Sequence, residues 1–178
     1  MLANLLSLSR VFLTIPLAYC LRQGDEAILS TIALLLLAAA TDLADGFAAR
    51  RLGQVSRLGK MIDPLSDKIF LTILLGSLVI WHDFPIWLLG LLLFRDTAIV
   101  AIGIFLLRSR GLVIAANRWG KYTTACMGFT TLSYILPAPD PLRLAMTTLA
   151  TVLVLISSLS YAHIFRQVIS GVDAADVY

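Results

Sequence analysis

Four aspartates, Asp42, Asp45, Asp63 and Asp67, stand in the stretch TDLADGFAARRLGQVSRLGKMIDPLSDK, between two of the most apolar runs of the chain. Asp42 and Asp45 are three residues apart and Asp63 and Asp67 four apart, the two spacings that put side chains on one stripe of a helix. Carboxylates that converge repel one another and take up protons unless cations sit among them. All-oxygen ligand sets suit hard divalent ions, Mg²⁺ above all, with Mn²⁺ or Ca²⁺ as alternatives, and two ions would balance the four charges. Paired ions support in-line displacement at phosphorus, because each stabilises oxygens on which charge builds up. Gly46 and Ala49, small and beside the acids, would let a bulky phosphorylated ligand approach the backbone. The chemistry these residues point to is phosphoryl transfer.

The elements that must hold the acids are membrane helices. With 178 residues, 59% of them hydrophobic and 14% charged, and a mean hydropathy of +0.89, the chain is too apolar for a soluble domain of its size. Six segments, approximately 3–22, 27–50, 62–81, 85–108, 118–137 and 142–166, each offer the roughly 20 residues needed to cross a bilayer core. The breaks carry turn chemistry: RQGDE, WHDFP, RSRG and PAPDP. The third helix is expected to open at Asp63, with Pro64 in its first turn, and the residues from Arg51 to Lys60 to form a loop or short extension. That connection would let helices two and three pack side by side. Leu5 to Leu21 is read as the first span, since no small-x-small cleavage site follows it. The expected fold is all-α: one integral membrane domain over residues 1–178, a six-transmembrane-helix bundle.

Basic residues set the orientation. Arg50, Arg51, Arg57 and Lys60 lie between spans two and three, and Arg108, Arg110, Arg118 and Lys121 between four and five, whereas the alternate connections are nearly free of them. By the positive-inside rule both basic connections and both termini face the cytoplasm, which puts the acids, and an active site, at the cytoplasmic face. The same eight cations would also serve topology alone. Cys20 and Cys126 lie in apolar segments without ligand spacing and read as small hydrophobes. His82 and His163 read as interfacial, and Trp81, Trp87 and Trp119 as anchors at span ends. No nucleic-acid partner is expected.

Taken together, Asp42-x2-Asp45-Gly46-x2-Ala49-Arg50-x8-Gly59-x3-Asp63-x3-Asp67 resembles, position for position, the signature of the CDP-alcohol phosphotransferase family, with eight fixed identities over 26 residues. The resemblance implies a six-helix membrane enzyme, here of a bacterial cytoplasmic membrane. Such an enzyme moves a phosphatidyl group from CDP-diacylglycerol to an alcohol, releases CMP, uses divalent metal and forms a homodimer. Carried over by position, Asp42, Asp45 and Asp63 would be the main ligands of two Mg²⁺ or Mn²⁺ ions, with Asp67 the general base and a further contact to the second ion. Asp42 and Asp45, with Gly46, Ala49, Arg50 and Gly59, would line the CDP site, Arg50 facing its phosphates as a charge-assisted donor.

For the acceptor, Arg110, Arg118 and Lys121 are candidates, and cations there suit an alcohol that carries its own phosphate, such as glycerol 3-phosphate. The run Asn117-Arg118-Trp119-Gly120-Lys121-Tyr122-Thr123-Thr124 looks like the Asn-x-x-Gly-Lys-x-x-Thr region of phosphatidylglycerophosphate synthases and related cardiolipin synthases. Asn4, Ser7 and Arg10 are similar to the Asn-x-x-Thr-x-x-Arg opening of the glycerophosphate branch, with Ser7 in place of Thr and the preceding proline missing. Arg95-Asp96, within the fourth span, looks more like the cardiolipin branch, whose acceptor is phosphatidylglycerol. An ionisable pair there is either functional or neutralises partners across the bundle. Inositol phosphate and serine stand as further acceptors. From another class, an ion-coupled transporter would also use intramembrane acids, but would carry them near the midplane rather than at one end of its helices.

Overall fold

The computed structural model describes residues 2–52, 59–110 and 118–169, with side chains described over 10–41, 44, 66–106 and 118–167. They form six α-helices: α1 (Leu2–Gln23), α2 (Ile28–Leu52), α3 (Gly59–Trp81), α4 (Ile86–Arg110), α5 (Arg118–Ile135) and α6 (Asp140–Ile169). A 3₁₀ turn, Gly24–Ala27, joins the first two. Among the described residues there is no strand, and every helix end falls within three residues of the apolar segment expected for it.

The breaks have local causes. Gly24 takes φ +64°, a left-handed conformation that glycine adopts at no steric cost, and so turns the chain out of α1. After α3, Asp83 also lies at positive φ (55°), tolerated because its short polar side chain suits that region. The amides of His82 and Phe84 both close on the carbonyl of Leu78, and His82 Nε2 bonds the carbonyl of Leu21 at 2.9 Å. His82 thereby fastens the end of α3 to the end of α1. At the head of α6, the amides of Leu142 and Arg143 donate to the carbonyl of Pro139.

One expectation is corrected. α3 opens at Gly59, a turn before Asp63, so Pro64 sits in its second turn rather than its first. The lost amide forfeits a single bond within a helix of 23 residues, and the apolar run that follows carries the helix through. α1 likewise continues past Pro16.

The chain divides into two compact units, Met1–Pro85 with Tyr134–Pro137, and Ile86–Ser133 with Ala138–Tyr178. In the first, α1 packs extensively against both α2 and α3. Its buried stripe is Arg10, Thr14, Leu17 and Leu21, at the four- and three-residue steps of one helix face. Leu74, Leu75 and Leu78 of α3 are buried in the same unit, and Phe84 meets Tyr134 edge to face with ring centroids 5.0 Å apart.

In the second unit α4 packs on α6, and threonines tie α5 to α6. Thr123 Oγ1 donates to the carbonyls of Trp119 (2.8 Å) and Leu153 (3.1 Å), and Thr130 Oγ1 to those of Cys126 (2.9 Å) and Met146 (3.2 Å). Seven residues forward along α5 match seven back along α6, which makes the two helices antiparallel in fixed register. Arg143 Nε, donating to the carbonyl of Ser133 at 3.1 Å, extends the same register by three residues on each helix.

The polarity is that of a protein solvated by lipid. Arg10, Thr31, Ser66, Ser77, Arg95, Thr123, Thr130 and Ser157 are buried, while Phe12, Ile15, Leu29, Phe94, Leu144 and Leu159 are among the exposed side chains. Water would reject such an exterior. In a bilayer it is neutral, and helices associate through packing and interhelical hydrogen bonds instead. Three described stretches, Arg10–Thr41, Ile86–Leu106 and Asp140–Gln167, are long and apolar enough to cross a membrane; the first runs through the turn at Gly24. The described residues are all-helical, and their exterior is that of a membrane protein. Cys20 and Cys126 are free thiols; Cys126 is buried as expected of a small hydrophobe, whereas Cys20 is only partly buried.

Candidate active site

The signature aspartates fall on two helices of one unit. Asp42 and Asp45 lie in α2 with Gly46, Ala49 and Arg50, and Asp63 and Asp67 lie in α3, which Gly59 opens. Residues 53–58 of the intervening connection lie outside the described residues, as do the side chains of Asp42, Asp45, Arg50, Asp63 and Arg110. Among the described residues no group of three or more His, Cys, Asp or Glu could hold a metal ion. α1 packs on both acid-bearing helices and contributes a cation to this region.

That cation is Arg10. Its side chain is 7% exposed, and its Nη1 donates to Oδ1 of Asp67, whose own side chain is 51% exposed. Arg10 is the first member of the buried stripe of α1, so helical periodicity carries its guanidinium toward α3. A buried guanidinium needs a counter-ion or strong acceptors to offset its lost hydration, and the carboxylate provides one. Asp67 gains a fixed orientation while half of its surface remains accessible. A carboxylate held this way can ligate a cation or accept a proton from a hydroxyl brought within hydrogen-bond reach. The sequence reading left Arg10 out of the site; its only signal there was the Asn4, Ser7, Arg10 spacing.

The acceptor candidates lie in the other unit. Arg118 and Lys121 occupy the first turn of α5, both exposed, and among the described residues neither is paired with a carboxylate. Trp119 and Tyr122, also exposed, meet edge to face at 6.1 Å. On the inward face of the same turn, Gly120 and the fully buried Thr123 approach α4 and α6. Arg95 and Asp96 form an ion pair at 2.7 Å inside α4. His163 is exposed on α6.

An apolar exterior, polar groups turned inward and an oriented, accessible carboxylate describe a membrane-embedded enzyme. The chain belongs to the CDP-alcohol phosphatidyltransferase family, which it matches over residues 1–160. It is 38% identical over 132 residues to a "CDP-diacylglycerol--glycerol-3-phosphate 3-phosphatidyltransferase" of Aquifex aeolicus, covering 73% of this chain and 72% of that one. It is 30% identical over 177 residues to a "probable phosphatidylglycerophosphate synthase" of Mycobacterium tuberculosis, covering 97% and 78%. To the human "cardiolipin synthase (CMP-forming)" it is 32% identical over 164 residues, 92% of this chain but only about half (51%) of that relative. Family membership displaces the transporter alternative.

Proposed function

We propose that the chain transfers the phosphatidyl group of CDP-diacylglycerol to the free hydroxyl of glycerol 3-phosphate, releasing CMP and giving phosphatidylglycerophosphate. The observation that carries this reading is Asp67, half-exposed and oriented by buried Arg10, at the last position of a run that resembles the family's signature. Relatives named for the same reaction support the acceptor.

In this reading Asp67 takes the proton of the acceptor hydroxyl, whose oxygen forms a bond to the phosphorus nearer the lipid. The bond from that phosphorus to the bridging oxygen of the diphosphate breaks, and CMP leaves with that oxygen on its phosphate. Asp42, Asp45 and Asp63, with Asp67, are a hard, all-oxygen donor set whose chemistry fits two Mg²⁺ or Mn²⁺ ions. When bound, the ions would supply electrophilic stabilisation of the diphosphate oxygens. Gly46, Ala49 and Gly59 leave room for the nucleotide and Arg50 holds its phosphates, while Arg110, Arg118 and Lys121 bind the phosphate that the acceptor carries. The architecture belonging to this reading is a single domain of six membrane spans, with its site and both termini on the cytoplasmic side of a bacterial inner membrane, acting as a homodimer.

Phosphatidylglycerol is the second acceptor reading, favoured by the Arg95-Asp96 pair and by the cardiolipin synthase relative. The deciding experiment measures CMP release by purified protein with CDP-diacylglycerol and Mg²⁺, offering glycerol 3-phosphate and phosphatidylglycerol separately. Release with glycerol 3-phosphate alone is expected. Release with phosphatidylglycerol alone would transfer the chain to the cardiolipin branch, and no release with either from folded protein would refute both readings.

A further inference from the structure

The second unit contains a buried charge for which the proposed chemistry has no use. The Arg95 side chain, in the interior of α4, is 9% exposed. Its Nη1 donates to Asp96 Oδ1 at 2.7 Å, its Nη2 donates to Ser157 Oγ of α6 at 2.7 Å, and the guanidinium carbon lies 5.8 Å from the ring centre of Tyr161, also on α6. Its Nε is buried with no hydrogen-bond partner among the described residues. A guanidinium is costly to bury in hydrocarbon unless it is paired, and Asp96 neutralises this one while one of its donors stays unused.

The third helix to reach this group is α5, through Gly120. A Cβ at that position would stand 3.2 Å from Arg95 Nη2, tighter than a carbon usually approaches, and 3.4 Å from Tyr161 Oη, at the near edge of ordinary contact. Nη2 has little room to yield, because it is tied to Ser157 on one side and belongs to a group set against the Tyr161 ring. Glycine is needed here for close approach rather than for its backbone freedom. Arg95, together with Tyr161, is therefore what the first turn of α5 faces at Gly120, and Arg118 and Lys121 flank that point in sequence.

We propose that Arg95 is a positioning residue: by seating Gly120 it sets where Arg118 and Lys121 stand, and so fixes the affinity for an acceptor that bears its own phosphate. This rests on the acceptor reading above. The added Cβ asks for a shift of a few tenths of an ångström, and since about 1 Å of misplacement can cost up to two orders of magnitude in function, a several-fold effect is expected.

The test is steady-state kinetics of full-length Gly120→Ala and Arg95→Lys, each with glycerol 3-phosphate and CDP-diacylglycerol varied in turn. The expected result is a KM for glycerol 3-phosphate raised by about three- to tenfold, with the KM for CDP-diacylglycerol changed less than about twofold. General loosening of the fold would lower the active fraction without separating the two constants. Arg118→Gln, alone and combined with Gly120→Ala, adds a coupling measurement: if Gly120 acts through the cation beside it, the combined loss falls short of the product of the single losses. Equal changes in both KM values, together with multiplicative losses, would overturn the inference while wild-type turnover with glycerol 3-phosphate left the acceptor reading standing. Absence of that wild-type turnover would overturn the acceptor reading itself, and this inference with it.

Discussion

Arg10 of α1 and Asp67 of α3, 57 residues apart in sequence, form an ion pair in which the guanidinium is buried and the carboxylate half exposed. The asymmetry separates two duties. Burial of the arginine fixes where the carboxylate points, and exposure of the carboxylate leaves it able to meet a substrate.

Removing either partner should therefore have unequal effects. Asp67→Asn keeps the size of the side chain and removes the proposed base, so CMP release should fall by about 10²–10⁴-fold while the protein still folds and extracts in detergent. Arg10→Gln keeps the base but frees it, and a loss nearer tenfold is expected, with Arg10→Lys intermediate because a single ammonium cannot reproduce the planar fork. Activity measurements on the three variants check this. Full activity in Asp67→Asn would remove Asp67 from the base role.

Replacement of the other acids probes a different duty. Asp42→Ala, Asp45→Ala and Asp63→Ala should each reduce CMP release by at least about 10²-fold, and excess Mg²⁺ should restore part of it where one ligand is lost, because affinity rather than the reacting group is affected. Chelation of the wild type should abolish release reversibly. A wild type that works unchanged in EDTA would exclude the divalent site.

The positions of these acids on helices were legible from the sequence, because apolar runs interrupted by RQGDE, WHDFP and PAPDP set the helix ends almost without tertiary help. The Asp42-to-Asp67 signature was legible for a different reason: eight residues of four types at fixed spacing form a local pattern. Arg10 facing Asp67 was not, since nothing in helical periodicity states which partner a buried charge will find 57 residues away. Nor was the seat of Gly120. A glycine in a helix reads as a weak point until the neighbour that fills its missing Cβ is known, and here that neighbour, Arg95, comes from another helix. The start of α3 at Gly59 was not legible, because a proline suits the first turn of a helix, whereas this long apolar helix tolerates Pro64 one turn further in.

The exposed first turn of α5 gives a prediction about substrate affinity. Arg118→Gln and Lys121→Gln should each raise the KM for glycerol 3-phosphate by about tenfold, the scale of one charge-assisted hydrogen bond to a phosphate, and leave thermal stability nearly unchanged because both side chains are exposed. Raised ionic strength should raise the wild-type KM in the same direction, as exposed charges are screened within about 10 Å at 0.1 M salt. An unchanged KM in both variants would place the acceptor elsewhere.

The hydroxyls between α5 and α6 test the packing that supports that turn. Thr123 and Thr130 each share one proton between a carbonyl of their own helix and one of α6, at matched intervals along both helices. Valine has the same shape without the hydroxyl, so Thr130→Val would remove the interhelical bond while filling the space. Because both accepting carbonyls can keep their helical amides, the loss should be modest, about 0.6–2 kcal/mol, the range found for interhelical hydrogen bonds in membranes. Thermal unfolding in detergent should therefore shift by a few degrees for Thr130→Val and by a similar amount for Thr123→Val. The kinetic outcomes should differ. Thr123 lies one turn from Gly120, so its loss should also raise the KM for glycerol 3-phosphate, whereas Thr130, two turns further along, should lower stability with no change in either KM. Identical kinetics in the two variants would mean that the register of α5 on α6 is held as a whole and not from its first turn.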